Sequence, residues 1–121
     1  MKKYALLCVL MSIMSSAYAF EWVKIGEKEE YTMFVDRISL VNAKQQMTSN
    51  KIYWEKYIIP SEMQVAHLKR ELDCKNYKHR VAEMRVYNMS ETELSFVVKE
   101  ASKWHSSNKD DFVLFSELCK K

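Results

Sequence analysis

From residue 20 onward the hydrophobic positions recur mostly at a period of two, the spacing of strands whose alternate side chains face one side. Residues 20–25 predict a short strand with Trp22 as its large apolar anchor. Residues 27–30 form a charged turn, and residues 31–36, rich in aromatic and β-branched types, a second strand. Residues 36–39 read as a turn. A third short strand around Leu40 and Val41 follows, then a polar loop over 42–50. The clearest alternation is 51–59, where Ile52, Trp54 and Ile58 share one face and Lys51, Tyr53 and Glu55 the other. Pro60 ends it, because proline cannot donate to a ladder.

Residues 61–66 are ambiguous; helix and strand both fit 67–72, where propensity alone leans to helix, and the tight connection that follows decides for a strand. In that connection, a two-residue loop at Lys75 and Asn76 sets Asp73 opposite Lys78 and Glu71 opposite Arg80. A four-residue loop sets Asp73 opposite Arg80 and Leu72 opposite Val81 instead. The return strand runs to Tyr87 with Val81, Met84, Val86 and Tyr87 as core candidates, and 94–99 is another strand after a turn. Beyond Asp110 the period changes. Phe112, Phe115, Leu118 and Cys119 line one face of a short helix capped by Asn108 or Asp110, with Lys120 and Lys121 at its negative end.

The first 19 residues read as a signal peptide. Lys2 and Lys3 precede an apolar run over 4–14, and Ala17-Tyr18-Ala19 closes it as an A-x-A cleavage pattern. Eleven apolar residues rise about 16 Å as a helix, half of what spanning a bilayer requires. The rival reading, lipid attachment at Cys8, would leave only a short apolar stretch before the cysteine, and the run continues past it. Residues 20–121 are then one domain with no transmembrane helix, placed in the periplasm, or secreted or displayed at the cell surface.

Removing the leader changes the charge. Two of the 19 basic residues leave with it, so 17 remain against 16 acidic ones. That balance gives no reason to expect nucleic acid. The single glycine, Gly26, excludes phosphate-cradling loops and dinucleotide fingerprints, which need two or three. Of three cysteines Cys8 is lost, and Cys74 and Cys119 remain as an even pair in an oxidising compartment, read as a disulfide.

Sites of chemistry are sparse. His67, His79 and His105 lie far apart with no ligand spacing, so surface or sheet-face histidines are expected rather than metal ligands. No elbow motif marks a serine, and no cofactor is implied. Trp22, Trp54 and Trp104 are expected to pack in the core rather than form a ligand platform. Lys69, Arg70, Lys78, Arg80 and Arg85 fall along one hairpin and make a candidate patch for an acidic ligand. Glu71, Asp73 and Glu83, interleaved among them, offer the alternative of a salt-bridged sheet face.

Two sets of residues carry a family likeness. In the first half they are Trp22-Val23-Lys24-Ile25, Phe34-Val35-Asp36 with Ile38 and Ser39, and Trp54-Glu55-Lys56. In the second they are Asp73-Cys74-Lys75-Asn76-Tyr77 with Arg80, Trp104, and Phe115-Ser116-Glu117-Leu118-Cys119. On these the chain resembles the surface-adhesin protein E family of Gram-negative bacteria. The resemblance implies an α+β fold: an antiparallel β-sheet of about six strands, a short C-terminal helix pinned by the disulfide, and no enzymatic activity. The namesake is similar to an outer-membrane lipoprotein, whereas this chain has an ordinary cleavage pattern, so fold transfers more readily than adhesion. The expected role is an exported, non-enzymatic binding domain with a protein partner, adhering to a host or envelope protein; a homodimer is compatible with it. The alternative is a periplasmic structural or inhibitor protein.

Overall fold

The computed structural model describes residues 19–106 and 117–119. Strands β1 (Trp22–Glu27), β2 (Thr32–Asp36), β3 (Asn50–Ile59), β4 (Gln64–Asp73), β5 (Lys78–Asn88) and β6 (Leu94–Val98) pair antiparallel in chain order. A two-residue strand β7 (His105–Ser106) joins the outer edge of β5 beside β6. Helix α1 (Arg37–Gln45) stands between β2 and β3, and Pro60–Glu62 makes one 3-10 turn between β3 and β4.

The expected architecture of about six strands closed by a C-terminal helix is therefore corrected. The sheet has seven strands, and its helix lies in the middle of the described chain. Positions 107–116, which carry most of the expected C-terminal helix, lie outside the described residues, as do positions 1–18 of the expected leader.

Helix α1 replaces the expected turn, strand and loop for a local reason. Asp36 is its N-cap and accepts from the backbone N–H of Ser39 at 3.0 Å, satisfying one of the donors that a helix start leaves bare. The buried stripe of α1 is Ser39 and Ala43, with Leu40 partly buried, while Ile38 and Val41 are exposed. Period reading weights the large apolar residues, and here the large ones point outward. The small ones face inward because the helix lies close to β3.

Ser39 explains that closeness. Strand β2 stops pairing at Val35 opposite Glu55, so the N–H of Trp54 has no ladder partner and donates to the Ser39 hydroxyl at 3.0 Å. Asp36 also accepts from the N–H of Glu21 at 2.8 Å, so one buried carboxylate ties the start of β1 to the start of α1. Replacing Asp36 with alanine is expected to cost about 1–2 kcal/mol for the lost cap. Because a second donor is orphaned as well, the upper end applies. Chemical denaturation against the parent would measure it.

The helix side of the sheet holds the main core of Val35, Ala43, Tyr53, Leu72 and Leu118, with Leu40 and Cys119 against it. This corrects the face assignment of β3. Its alternation is as predicted, but Lys51, Tyr53 and Glu55 are the residues beneath the helix, and Ile52 is exposed. Lys51 reaches this face because its ammonium donates to the carbonyl of Gln46 at the helix end, where the dipole favours a cation. The hairpin adopts the two-residue-loop register, with Asp73 opposite Lys78 and Glu71 opposite Arg80. Asp73 accepts from the N–H groups of Lys75 and Asn76 at 3.0 and 3.2 Å and closes the turn.

Cys74 and Cys119 form the disulfide, 45 residues apart in sequence with Cα atoms at 5.4 Å. Cys74 directly follows β4, and its N–H donates to Ser49, so the crosslink sits on an ordered rung of the sheet. Leu118, next to Cys119, is thereby held in the core.

Candidate functional site

The face opposite α1 is concave. Strands β1 and β4 are separated by two others, and in a flat sheet they would lie about 14 Å apart. Yet the ring of Trp22 on β1 comes to 5.0 Å from that of His67 on β4. Phe20 closes over the same spot, with its ring 4.6 Å from Trp22, 5.5 Å from Trp54 and 5.4 Å from His67. Tyr87 on β5 completes the enclosure at 4.6 Å from the imidazole.

Three ionisable groups meet inside this ring of aromatics. His67 Nε2 lies 2.9 Å from Glu91 Oε1, and Lys56 Nζ lies 3.3 Å from Glu91 Oε2. The Lys56 ammonium also sits over Trp22 and Phe34, at 5.2 and 4.9 Å from their centroids, an arrangement that partly replaces lost water. Glu91 comes from the loop between β5 and β6 and adopts a left-handed backbone, φ 58°. Burial pushes the imidazole of His67 below its ordinary value, with the charges of Lys56 and Arg85 acting in the same direction and Glu91 against them. Burial alone would raise the Glu91 carboxyl, but the hydrogen bond from His67 and the Lys56 charge hold it below its usual value.

The predicted basic patch is divided between the two faces. Lys69, Lys78, Arg80 and Arg85 lie on the concave face, and Arg70 lies on the helix side. Arg80 donates to Glu71 at 2.8 Å and stacks on Trp104 at 4.3 Å. Arg85 donates to Glu83 at 2.6 Å and stands over Trp54 at 5.3 Å. Lys69 and Lys78 make no ion pair among the described residues. Trp22 and Trp54 line the concave face rather than the core beneath α1, and Trp104 covers an arginine.

Arg70 belongs to a second buried network. Its Nε and Nη2 donate to Glu55 Oε1 at 3.1 and 2.9 Å, and its Nη1 lies 3.3 Å from His79 Nδ1. Glu55 also accepts from the hydroxyls of Tyr53 at 2.7 Å and Tyr57 at 3.3 Å. Burial, then the Glu55 charge, pushes both phenols above their ordinary values, so they stay neutral and donate.

His67 was expected on a surface or sheet face; it lies on the sheet face but is buried. Glu91, Lys56 and Glu55 carried no sequence signal, since each is one charged residue among many. Their ionic partners are 15 to 35 positions away. Among the described residues no three His, Cys, Asp or Glu side chains gather as metal ligands would, and no helix is long and apolar enough to cross a membrane. Both outer strands carry a register shift, β1 between Lys24 and Gly26 and β6 at Ser95, where Leu94 and Phe96 pair with adjacent residues of β5. Such bulges blunt an edge against strand addition. Compared with known proteins, the chain matches no family model, no curated protein and no solved structure.

Proposed function

We propose that this chain is an exported, disulfide-bonded binding domain of the bacterial cell envelope, without a catalytic role, that engages an acidic segment of a protein partner. The observation that carries this reading is the bonded Cys74–Cys119 pair. A crosslink that closes so long a loop persists in an oxidising compartment, and the leader-like first 19 residues supply the route there.

The concave face supplies the contact surface. Lys69 and Lys78 are the cations of this face that make no ion pair among the described residues, opposite Glu83 and Asp73 in the ladder and flanked by the half-buried rings of Trp54 and Trp104. Arg80 and Arg85 are already neutralised by Glu71 and Glu83, so they shape the surface more than they attract a ligand. Adhesion at the cell surface and a role inside the envelope both use such a face. Proteolysis of intact cells separates them: digestion supports display, and protection supports a periplasmic role.

Binding of poly-L-glutamate to the oxidised protein, followed by calorimetry at low and high salt, tests the surface. Affinity should fall steeply with salt and be lost in the double variant Lys69→Glu, Lys78→Glu. The melting temperature of that variant should fall only a little, because the new carboxylates face Glu83 and Asp73 across the ladder but no ion pair among the described residues is broken. Arg80→Glu, by contrast, should lower the melting temperature, because it sets two carboxylates against each other and uncovers Trp104. Binding indifferent to salt and to the lysine reversals would remove the concave face as the contact surface. Recovery of the protein only in the reduced cytoplasmic fraction would overturn export.

A further inference from the structure

We propose that His67 and Glu91 form an acid-sensitive latch that holds the loop of residues 88–93 over the concave face, and that protonating His67 releases the loop. The loop is otherwise self-contained. Asn88 Oδ1 accepts from the N–H groups of Thr92 and Glu93 at 2.9 and 3.1 Å, and Asn88 Nδ2 donates to Thr92 Oγ1 at 3.0 Å. Ser90 and Thr92 share a hydroxyl contact at 2.9 Å, and the backbone of Asn88 pairs with Glu93 and Glu91. Among the described residues, every hydrogen bond and ion pair from this loop to the sheet face runs through Glu91. The loop is a preformed unit attached by one side chain.

That attachment depends on the protonation state of His67. A carboxylate can only accept, so the ring nitrogen facing Glu91 carries the proton, and Nδ1 holds a lone pair. Nδ1 is buried and has no hydrogen-bond partner among the described residues. As a bare acceptor in an aromatic enclosure it is tolerated. Protonated, it becomes a buried donor with nothing to receive it, the costlier arrangement.

Of the surrounding charges, Lys56 and Arg85 act in the same sense and Glu91 opposes them. Facing the imidazole are Glu91 from the loop, Lys56 from β3 and Arg85 from β5. Among the described residues, Phe20 before β1 and Trp22 on it face the imidazole with their rings, and β5 adds Tyr87. With His67 neutral, Glu91 and Lys56 balance each other, and Arg85 is balanced by Glu83. A second cation inside this shell leaves one positive charge uncompensated where the ring has only 8% of its surface exposed. The relief is for the imidazole to reach water, and the loop is the part of the enclosure held by a single side chain, Glu91, through its contacts to His67 and Lys56.

The sign follows from linkage. Closure holds His67 below the 6.5 it shows in water, so closure is fully favoured above 6.5 and weakens as the pH falls through 6.5 toward the closed-state midpoint. Glu91, also held low, loses its charge only further down and adds to the release there.

The oxidised protein, observed by histidine-ring NMR and by acrylamide quenching of tryptophan fluorescence between neutral pH and pH 5, tests this. His67 should titrate with a midpoint below 6.5. Quenching should rise with the same midpoint as Trp22 loses its cover, while the amide shifts of β3 and β4 outside the His67 neighbourhood stay in place. His67→Gln, which keeps a donor toward Glu91 but cannot titrate, should remain closed and lose the pH dependence. Glu91→Gln should be open, with high quenching already at neutral pH, and it serves alone if the glutamine variant at 67 does not fold. An ordinary midpoint with unchanged quenching, a pH dependence that survives His67→Gln, or a closed Glu91→Gln would each overturn the latch.

Discussion

Replacing Cys74 and Cys119 together with serine is expected to lower the unfolding free energy by about 4 kcal/mol, the chain-entropy value for a loop of this length. The loop spans 45 residues, from the end of β4 to the C-terminal segment that places Leu118 in the core. A domain of this size is typically stable by about 5–15 kcal/mol, so the loss is a large share of the total. Much of it comes from the unfolded chain, which gains freedom, and the rest from the core. Without its tether Leu118 withdraws more easily from Val35, Tyr53 and Leu72. Guanidinium unfolding of the oxidised parent and the double-serine variant measures the difference. A drop under about 1 kcal/mol would show that the C-terminal segment docks without the crosslink.

Breaking the Glu55–Arg70 pair is expected to cost about 3–5 kcal/mol, because removal of one partner strands the other as a buried charge. Their side chains are 3% and 17% exposed, and Glu55 gathers the guanidinium and two phenols around its carboxylate. Glu55→Leu leaves Arg70 unpaired and two tyrosine hydroxyls without their acceptor. Arg70→Leu leaves Glu55 facing the core with only those hydroxyls for support. The pair removed together, Glu55→Leu with Arg70→Leu, should be less harmful than Glu55→Leu alone, since no buried charge survives. Equilibrium unfolding of the three variants forms the cycle. Near-additive losses would mean that the two side chains do not depend on each other.

The strands could be read from the chain because a strand states its period within a few residues. Residues 31–36, 51–59 and 94–99 follow turn residues or end at them or at proline and correspond to β2, β3 and β6, whereas 67–72, within β4, was assigned only by the tight connection after it. The Cys74–Cys119 pairing followed from compartment and count, and opposite charges at 71, 73, 78 and 80 offered the register that the hairpin adopts. Helix α1 was misread because its buried stripe is Ser39 and Ala43, and its large apolar residues face water. Strand β7 was not foreseen, since two polar residues carry no period. It exists because the outer edge of β5 has room for it beside β6.

By itself, then, the sequence determined most of the strands, the hairpin and the pair of cysteines, which depend on local period, on neighbouring charges or on counting. It also established the alternation of β3. Only the tertiary structure decided which face of β3 lies under the helix, because Ser39 and Asp36 draw α1 onto the Tyr53 side and the sheet curls toward the other. The same curl brings His67, Lys56 and Glu91 from β4, β3 and a distant loop into one aromatic enclosure. Side-chain alternation places a residue on one of two faces, but what covers each face depends on contacts made across 15 to 35 residues of chain.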